Sequence, residues 1–324
     1  MILAFVEQEE GRPDRSSLEA LTFARRTAAS LGEPLGAVLF GPGASSAATA
    51  LGAFGVSSAW VIELSGLEGY APAAWGRALS QLVAAGAPSI VLAAGNDRGQ
   101  EVLAYAATMS GAPMAANCVE LRPEAPFEVT RQRWGGSLLE DARLDGRVHF
   151  LTIAEHATAP EEVSSPVAVV VEAFAPTLTD SDRRVRVVAR VAPEAGKVSL
   201  ADARVVVGGG RGVGGAEAFS ELEELAGLLH GAVGVSRVVT SAGWRPHSQQ
   251  VGQTGTRIAP DIYIACGISG AIQHIVGCKA AKAILVINTD REAPIMSRAA
   301  YAVIGDLHTV VPAISAEIRR RQAS

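Results

Sequence analysis

Two doubly wound α/β domains are the fold that the sequence predicts, on three observations. Short apolar runs alternate with helical patterns through the first third of the chain. The alternation lapses after about Ala115 and restarts past a turn-rich polar segment, Ala192–Lys197. Alternation of single strands with single helices is the pattern of a parallel sheet covered on both faces. Length agrees, since a domain takes roughly 100–200 residues and the chain has 324.

The elements follow in order. Ile2–Val6, Leu35–Leu39, Ala59–Ile62 and Ser89–Ala93 are apolar runs short enough for buried strands. Between them lie helical stretches at about Ser16–Leu31, Ser45–Ala53, Pro72–Ala84 and Gly99–Met109. In the first of these Leu18, Leu21, Ala24, Ala28 and Leu31 share one face, with Glu19 and Arg26 turned outward. Phe127–Arg133, Val148–Ile153, Val167–Ala173 and Arg184–Val191 are predicted strands with no long helix between them. They make a partly antiparallel extension of the first sheet and close a domain over 1–195. The second domain, 196–324, opens with strand Ala203–Val207, a Gly-rich turn and a helix over about Ala216–Leu229. Strands at Ala232–Val235, Ile262–Ile264, Ile284–Asn288 and Tyr301–Ile304 follow, then a helix over about Val311–Arg321.

Composition narrows the function classes. Hydrophobic residues at 48% and charged residues at 19% exclude a disordered chain. The longest apolar stretches, Ser165–Phe174 and Asp261–Gly277, are too short or broken by Glu172, Ser269, Gln273 and His274, so no membrane span is expected. A net charge of −5 without a basic block argues against nucleic-acid binding. Cys118, Cys266 and Cys278 are widely spaced; they form neither a disulfide framework nor a zinc pattern and are expected to pack. The N-terminus runs straight into a strand, with no signal-peptide pattern, and the expectation is a bacterial-type cytoplasm. No nucleophile–base pair, carboxylate pair or metal-ligand cluster emerges, so chemistry would have to come from a cofactor.

The Gly-rich turn is where a cofactor signal first shows. Gly210, Gly212 and Gly215, between a strand and a helix, have the spacing G-x-G-x-x-G. That spacing suits backbone N–H groups approaching a pyrophosphate at a helix N-terminus. A dinucleotide domain would end its second strand in Asp or Glu, whereas Ala232–Val235 ends in Ser236-Arg237. With Arg211 in the turn, that favours an anion, or a ring that becomes anionic.

Further motifs follow: Val251-Gly252-Gln253-Thr254-Gly255, then Gly267-Ile268-Ser269-Gly270-Ala271-Ile272-Gln273-His274, then Asn288-Thr289-Asp290-Arg291-Glu292-Ala293-Pro294-Ile295, and Gly305-Asp306-Leu307. In this order, from about Val205 to Pro312, they closely resemble the FAD domain of the electron transfer flavoprotein alpha subunit. Arg131, Gly135-Gly136 and the Val148–Ile153 strand resemble that family's first domain more loosely. The resemblance implies a Rossmann-like FAD-binding domain at the C-terminus. It puts Arg211 on the pyrophosphate and Arg237 against the isoalloxazine, with Ser236 beside it. Val251, Gly252, Gln253 and Thr254 form a turn with Gln253 near the ribityl chain and the Thr254 hydroxyl at the flavin N5 edge. Ser269, Gly270, Ala271, Ile272, Gln273 and His274 form a cofactor-contacting strand-to-helix turn, with His274 beside the carbonyl edge of the ring. Ser269 alone would be an ordinary N-cap. Asn288, Asp306 and Leu307 fall on the adenosine end, although Asp306 equally suits the cap of the last helix.

By the same resemblance the chain pairs with a beta subunit. It takes electrons from acyl-CoA dehydrogenases or related flavin dehydrogenases of fatty acid beta-oxidation and passes them to a membrane quinone oxidoreductase. Two alternatives stay open: an electron-bifurcating, NADH-oxidising relative, and a non-redox module that binds a nucleotide.

Overall fold

In the computed structural model, which describes residues 1–67, 69–124, 126–188 and 198–322, contacts divide the chain into units Met1–Arg190 and Val191–Ser324. The expected linker Ala192–Lys197 lies outside the described residues.

The first unit begins β1 (Ile2–Phe5), a two-residue hairpin β2 (Gln8–Glu9) and β3 (Arg12–Pro13), α1 (Arg15–Leu31), β4 (Leu35–Phe40) and α2 (Ala44–Ala50). It continues β5 (Ser58–Ile62), α3 (Pro72–Gly86), β6 (Ile90–Ala94), α4 (Asp97–Ser110), β7 (Met114–Arg122), β8 (Glu128–Arg133), β9 (Leu138–Arg143), β10 (His149–Ile153) and β11 (Val170–Ala173). Helix α1 starts where the Asp14 carboxylate accepts the Ser16 N–H and stops where Gly32 turns left-handed. Glu19, expected to face water, is buried, because its carboxylate accepts the His156 backbone N–H at 2.9 Å.

Nine strands form one sheet in the order β11-β5-β4-β1-β6-β10-β7-β8-β9, parallel except for β8. The antiparallel extension is therefore smaller than expected. Val148–Ile153 inserts as a parallel strand between β6 and β7, and Val167–Ala173 supplies β11 at the opposite edge, paired with β5. Two strands escape the sequence pattern. Strand β7 carries a positive φ of 59° at Asn117, and its register shifts beside it, so alternation is broken. Strand β9 is an edge strand whose two leucines, Leu138 and Leu139, are both exposed, while the half-buried positions are Glu140 and Ala142, so hydropathy does not mark its inward face. The described part of Arg184–Val191 is not a strand; the Val187 N–H bonds instead to the Tyr70 carbonyl.

The second unit comprises β12 (Val205–Gly209), α5 (Phe219–Leu228), β13 (Ala232–Val235), α6 (Arg237–Ser241), β14 (Ile262–Cys266), α7 (Ile272–Cys278), β15 (Ala283–Asn288), β16 (Tyr301–Ile304) and α8 (Leu307–Gln322). Its five strands are all parallel, in the order β13-β12-β14-β15-β16. Side chains alternate between two cores. Val206, Tyr263, Ala265, Ile284 and Val286 fill one face. On the other, Val207, Ile264, Cys266 and Ile287 pack under Phe219, Leu222 and Val311 of α5 and α8. Helix α8 starts four residues before the expected Val311 and holds Pro312 inside it. At the amino ends of the strands the Asp261 carboxylate accepts from both Arg204 and Lys282 at 2.7 Å.

All three cysteines are buried and free, and burial pushes each thiol up to about 12. Among the described residues no helix is long and apolar enough to cross a membrane.

Candidate functional site

Numbered along the chain, the second sheet has the order 2-1-3-4-5. Its winding reverses between β12 and β14, and in open parallel sheets the crevice beyond the carboxyl ends of such a strand pair is the usual ligand position. Five of the residues singled out from sequence stand at the carboxyl ends of these strands: Arg211 after β12, Ser236 after β13, Ser269 after β14, Asn288 as the last residue of β15 and Asp306 after β16. The Val251–Gly255 turn lies instead in the connection from α6 to β14. There a cleft of about 330 Å³ opens, lined by Arg211, Gly212, Ser236, Gly267, Ser269 and Asn288, with Val238, Asp290 and Ala293 completing the wall.

The glycines do something other than the spacing suggested. Gly210 has φ −108°, helix α5 starts only at Phe219, and a Cβ on Gly215 would meet nothing. A Cβ on Gly210 would lie 2.2 Å from the Gly267 carbonyl oxygen, and one on Gly212 would lie 2.7 Å from the Gly267 Cα. The loops after β12 and β14 are in backbone contact across the switch point. The Gly210 N–H donates to the Cys266 carbonyl (2.9 Å) and the Gly212 N–H to that of Gly267 (3.0 Å). Those two N–H groups are spent within the protein and do not cradle a phosphate. Gly267 itself sits at φ +60°, which a side chain would strain.

Side chains supply what the backbone does not. Arg211 is exposed at the cleft and makes no ion pair among the described residues. Ser236 is buried, and its Oγ has no hydrogen-bond partner among the described residues. Asn288 ties the walls together: its Nδ2 donates to the Ile268 carbonyl and its Oδ1 accepts the Asp290 N–H, each at 3.0 Å. Ser269 stands in the wall and is not an N-cap; the cap position of the seven-residue α7 is Ala271.

A second group of residues gathers at the turn 250–255. Gln250 is buried; its Oε1 accepts from Thr240 (2.7 Å) and its Nε2 donates to Thr254 Oγ1 (3.0 Å). Arg237 Nη1 donates to the same oxygen at 3.2 Å. With both lone pairs used, the Thr254 hydroxyl has only its proton left to offer. The turn is pinned to α7, since the Gln253 N–H donates to the Gln273 carbonyl, and a Cβ on Gly277 would lie 2.3 Å from the Gly252 nitrogen. That contact brings His274 to the turn. Its Nε2 lies 2.8 Å from the Tyr263 hydroxyl, its Nδ1 is buried without a hydrogen-bond partner among the described residues, and burial pulls its pKa down to about 4.

Some expected residues take structural roles. Val251 is a core side chain, and Gly270 turns at φ +82° hard against Ile295. Ala271 and Gln273 contribute carbonyls within and beside α7, and Ile272 projects exposed from its first turn. Asp306 caps α8 by accepting the His308 N–H, and Leu307 is buried against Gly267; neither lines the cleft. Gln250 and Tyr263 fall within the run that resembles the family but were given no site role, and neither was Thr240. Gln250 stood directly before the Val251–Gly255 motif, while Tyr263 looked like one more apolar strand residue.

The first unit has a larger cleft, of about 610 Å³, bordered by Phe40, Tyr70, Trp75 and Arg98. Its polar groups are largely taken up within the chain. Gln8 bonds to the Phe40 and Pro42 carbonyls, and the Tyr70 hydroxyl donates to Glu101. No orphaned buried side-chain atom lines it among the described residues.

The second unit fits a large, anionic, partly aromatic cofactor. Among the described residues it has a cation without an ion pair and a buried hydroxyl without a hydrogen-bond partner at the carboxyl-end cleft, and a buried imidazole nitrogen without one on α7, beside Tyr263 of β14. Comparison with known proteins gives the same answer. A family model described as the electron transfer flavoprotein FAD-binding domain matches residues 199–279, and one described as the electron transfer flavoprotein domain matches residues 2–179. The electron transfer flavoprotein subunit alpha of Mycobacterium tuberculosis is 36% identical over 325 residues, covering 99% of each chain. That of Mycobacterium leprae is 35% identical over 324 residues, covering 99% of this chain and 98% of its own. That of Thermoanaerobacterium thermosaccharolyticum is 32% identical over 322 residues, covering 98% of each. The chain belongs to the electron transfer flavoprotein alpha subunit family, and its cofactor is FAD.

Proposed function

We propose that this chain is the FAD-holding half of a heterodimer with an electron transfer flavoprotein beta subunit. In this reading it accepts electrons from acyl-CoA dehydrogenases or related flavin dehydrogenases and delivers them to a membrane quinone oxidoreductase. The observation that carries the reading is the cleft at the β12/β14 switch point, with Arg211 uncompensated and the Ser236 hydroxyl orphaned.

FAD, when bound, supplies the redox chemistry. The chain's residues bind and bias it. Arg211 and Ser236 would hold the pyrophosphate, because side chains must replace the Gly210 and Gly212 N–H groups already spent between loops. Asn288 keeps the cleft walls at fixed separation. Thr254, oriented by Gln250 and Arg237, would present a proton to a ring acceptor, and Arg237 would place a positive charge where reduction adds a negative one.

Co-expression with a beta subunit tests the reading. The expected product is a one-to-one yellow complex, reduced by an acyl-CoA dehydrogenase with its substrate and reoxidised by a quinone oxidoreductase. Reduction by NADH in place of the dehydrogenase would assign the chain to the bifurcating class. A colourless complex, or one whose flavin no partner reduces, would sink the proposal.

A further inference from the structure

Tyr263, the second residue of β14, is fully buried, and its hydroxyl meets His274 Nε2 at 2.8 Å. Gly208, in the neighbouring strand β12, makes the room: a Cβ there would lie 2.3 Å from the Tyr263 oxygen. Glycine weakens a strand interior and marks close approach by another group; here the group is this phenol. Among the described residues the phenol has no other hydrogen-bond partner. A buried hydroxyl that failed to donate would leave its proton unsatisfied. Donation to Nε2 satisfies it, and a neutral imidazole whose Nε2 accepts must carry its own proton on Nδ1. Burial keeps the ring neutral near pH 7; the Val251 backbone carbonyl acts the other way by favouring a ring N–H. That carbonyl does not meet hydrogen-bond geometry at Nδ1, which is buried without a hydrogen-bond partner among the described residues.

We propose that Tyr263 is a positioning residue that holds His274 as the Nδ1–H tautomer, so that the imidazole meets the flavin as a neutral hydrogen-bond donor. This rests on the reading that His274 faces the carbonyl edge of the ring. A carbonyl oxygen accepts, so the opposite tautomer would set lone pair against lone pair. The site would then contain a donor that carries no charge, beside a cation, Arg237, that does.

The test is nitrogen NMR of the assembled complex carrying ¹⁵N-labelled histidine, recorded with FAD bound and after its removal, with the His274 signals identified by their loss in His274→Gln. In the parent the proton is expected on Nδ1 in both states, with the Nδ1 signal moving when FAD is removed. In Tyr263→Phe the preference is expected to collapse to a mixture or to reverse, with FAD bound roughly 2- to 12-fold more weakly, as loss of one neutral hydrogen bond implies. A parent protonated on Nε2 overturns the inference, whatever the stability of the variant, as does a Tyr263→Phe complex with an unchanged tautomer. If the tautomer is as proposed but FAD removal leaves the Nδ1 signal unmoved, control by Tyr263 stands and the placement of His274 against the flavin falls.

Discussion

Removing the Arg237 guanidinium is expected to lower the first reduction potential of the bound flavin while leaving FAD in place. The size of the effect follows from where the side chain sits. Arg237 opens helix α6, is exposed to solvent, and reaches Thr254 Oγ1 at 3.2 Å. For a unit charge about 5 Å from the guanidinium, an effective dielectric of roughly 40–80 suits an exposed group better than the value near 20 used for partly buried pairs. The interaction is then about 0.8–1.7 kcal/mol, or roughly 35–70 mV for a one-electron couple. Arg237→Ala should therefore shift the first potential down by that amount, and Arg237→Lys by less, since the charge stays while the planar fork on Thr254 is lost. Spectroelectrochemical titration of the assembled complexes reads both values. The difference should shrink as salt is raised, because an exposed charge is screened. A first potential within about 10 mV of the parent, roughly 0.2 kcal/mol, with FAD retained, would refute the placement of Arg237 on the ring.

Three further outcomes are expected. Arg211→Ala should weaken FAD binding roughly 10- to 150-fold, from loss of about 1.5–3 kcal/mol of charge-assisted hydrogen bonding, with little change in potential; equal FAD affinity would move the pyrophosphate elsewhere. Gly267→Ala, at φ +60° with its Cβ 2.7 Å from the Gly212 Cα, should destabilise the second unit by at least about 1–3 kcal/mol, read as a lower denaturant midpoint. An unchanged midpoint would show that the two loops yield freely. His274 has its pKa lowered from 6.5 to about 4, so the unfolded chain takes up a proton first as pH falls. Its contribution is whole above 6.5 and is lost between 6.5 and 4, on the order of 3 kcal/mol. His274→Gln should flatten that part of the stability profile, and identical parent and variant slopes would contradict the assignment.

Most of the second unit was legible because a parallel sheet brings distant motifs to one end. Arg211, Ser236, Ser269 and Asn288 could be grouped from sequence since each stands at or just past the carboxyl end of a strand. What the missing Cβ of a glycine makes room for was not legible. Gly210 and Gly212 leave space for another backbone, and Gly208 leaves it for a phenol, yet spacing alone suggested a phosphate. Gln250 and Tyr263 act through neighbours brought close only by folding, so nothing local marks them. In the first unit the inner strands were evident from unbroken apolar runs, whereas β7 and β9 were missed where a left-handed Asn117 and an edge strand with exposed leucines and a half-buried Glu140 erase the apolar alternation. Glu19 misled for a related reason: a helical wheel places a carboxylate outside unless a distant backbone N–H, here that of His156, reaches in to hold it.

The strand polarity of the second unit also separates two kinds of selection. Asp261, with Arg204 and Lys282, fastens the amino ends of the strands, while the cleft opens at their carboxyl ends. Strand β14 runs five residues from Ile262 to Cys266, roughly 16 Å at 3.3 Å per residue, about twice the screening length of roughly 8 Å at physiological ionic strength. Charge changes at the Asp261 end can therefore drift with surface acidity, solubility or growth temperature without retuning the flavin. The same changes among Arg211, Arg237 and Asp290 would be felt there at once. Lineages adapting to new salt or heat have one end of this sheet free to vary, and lineages adapting to a new electron donor have the other.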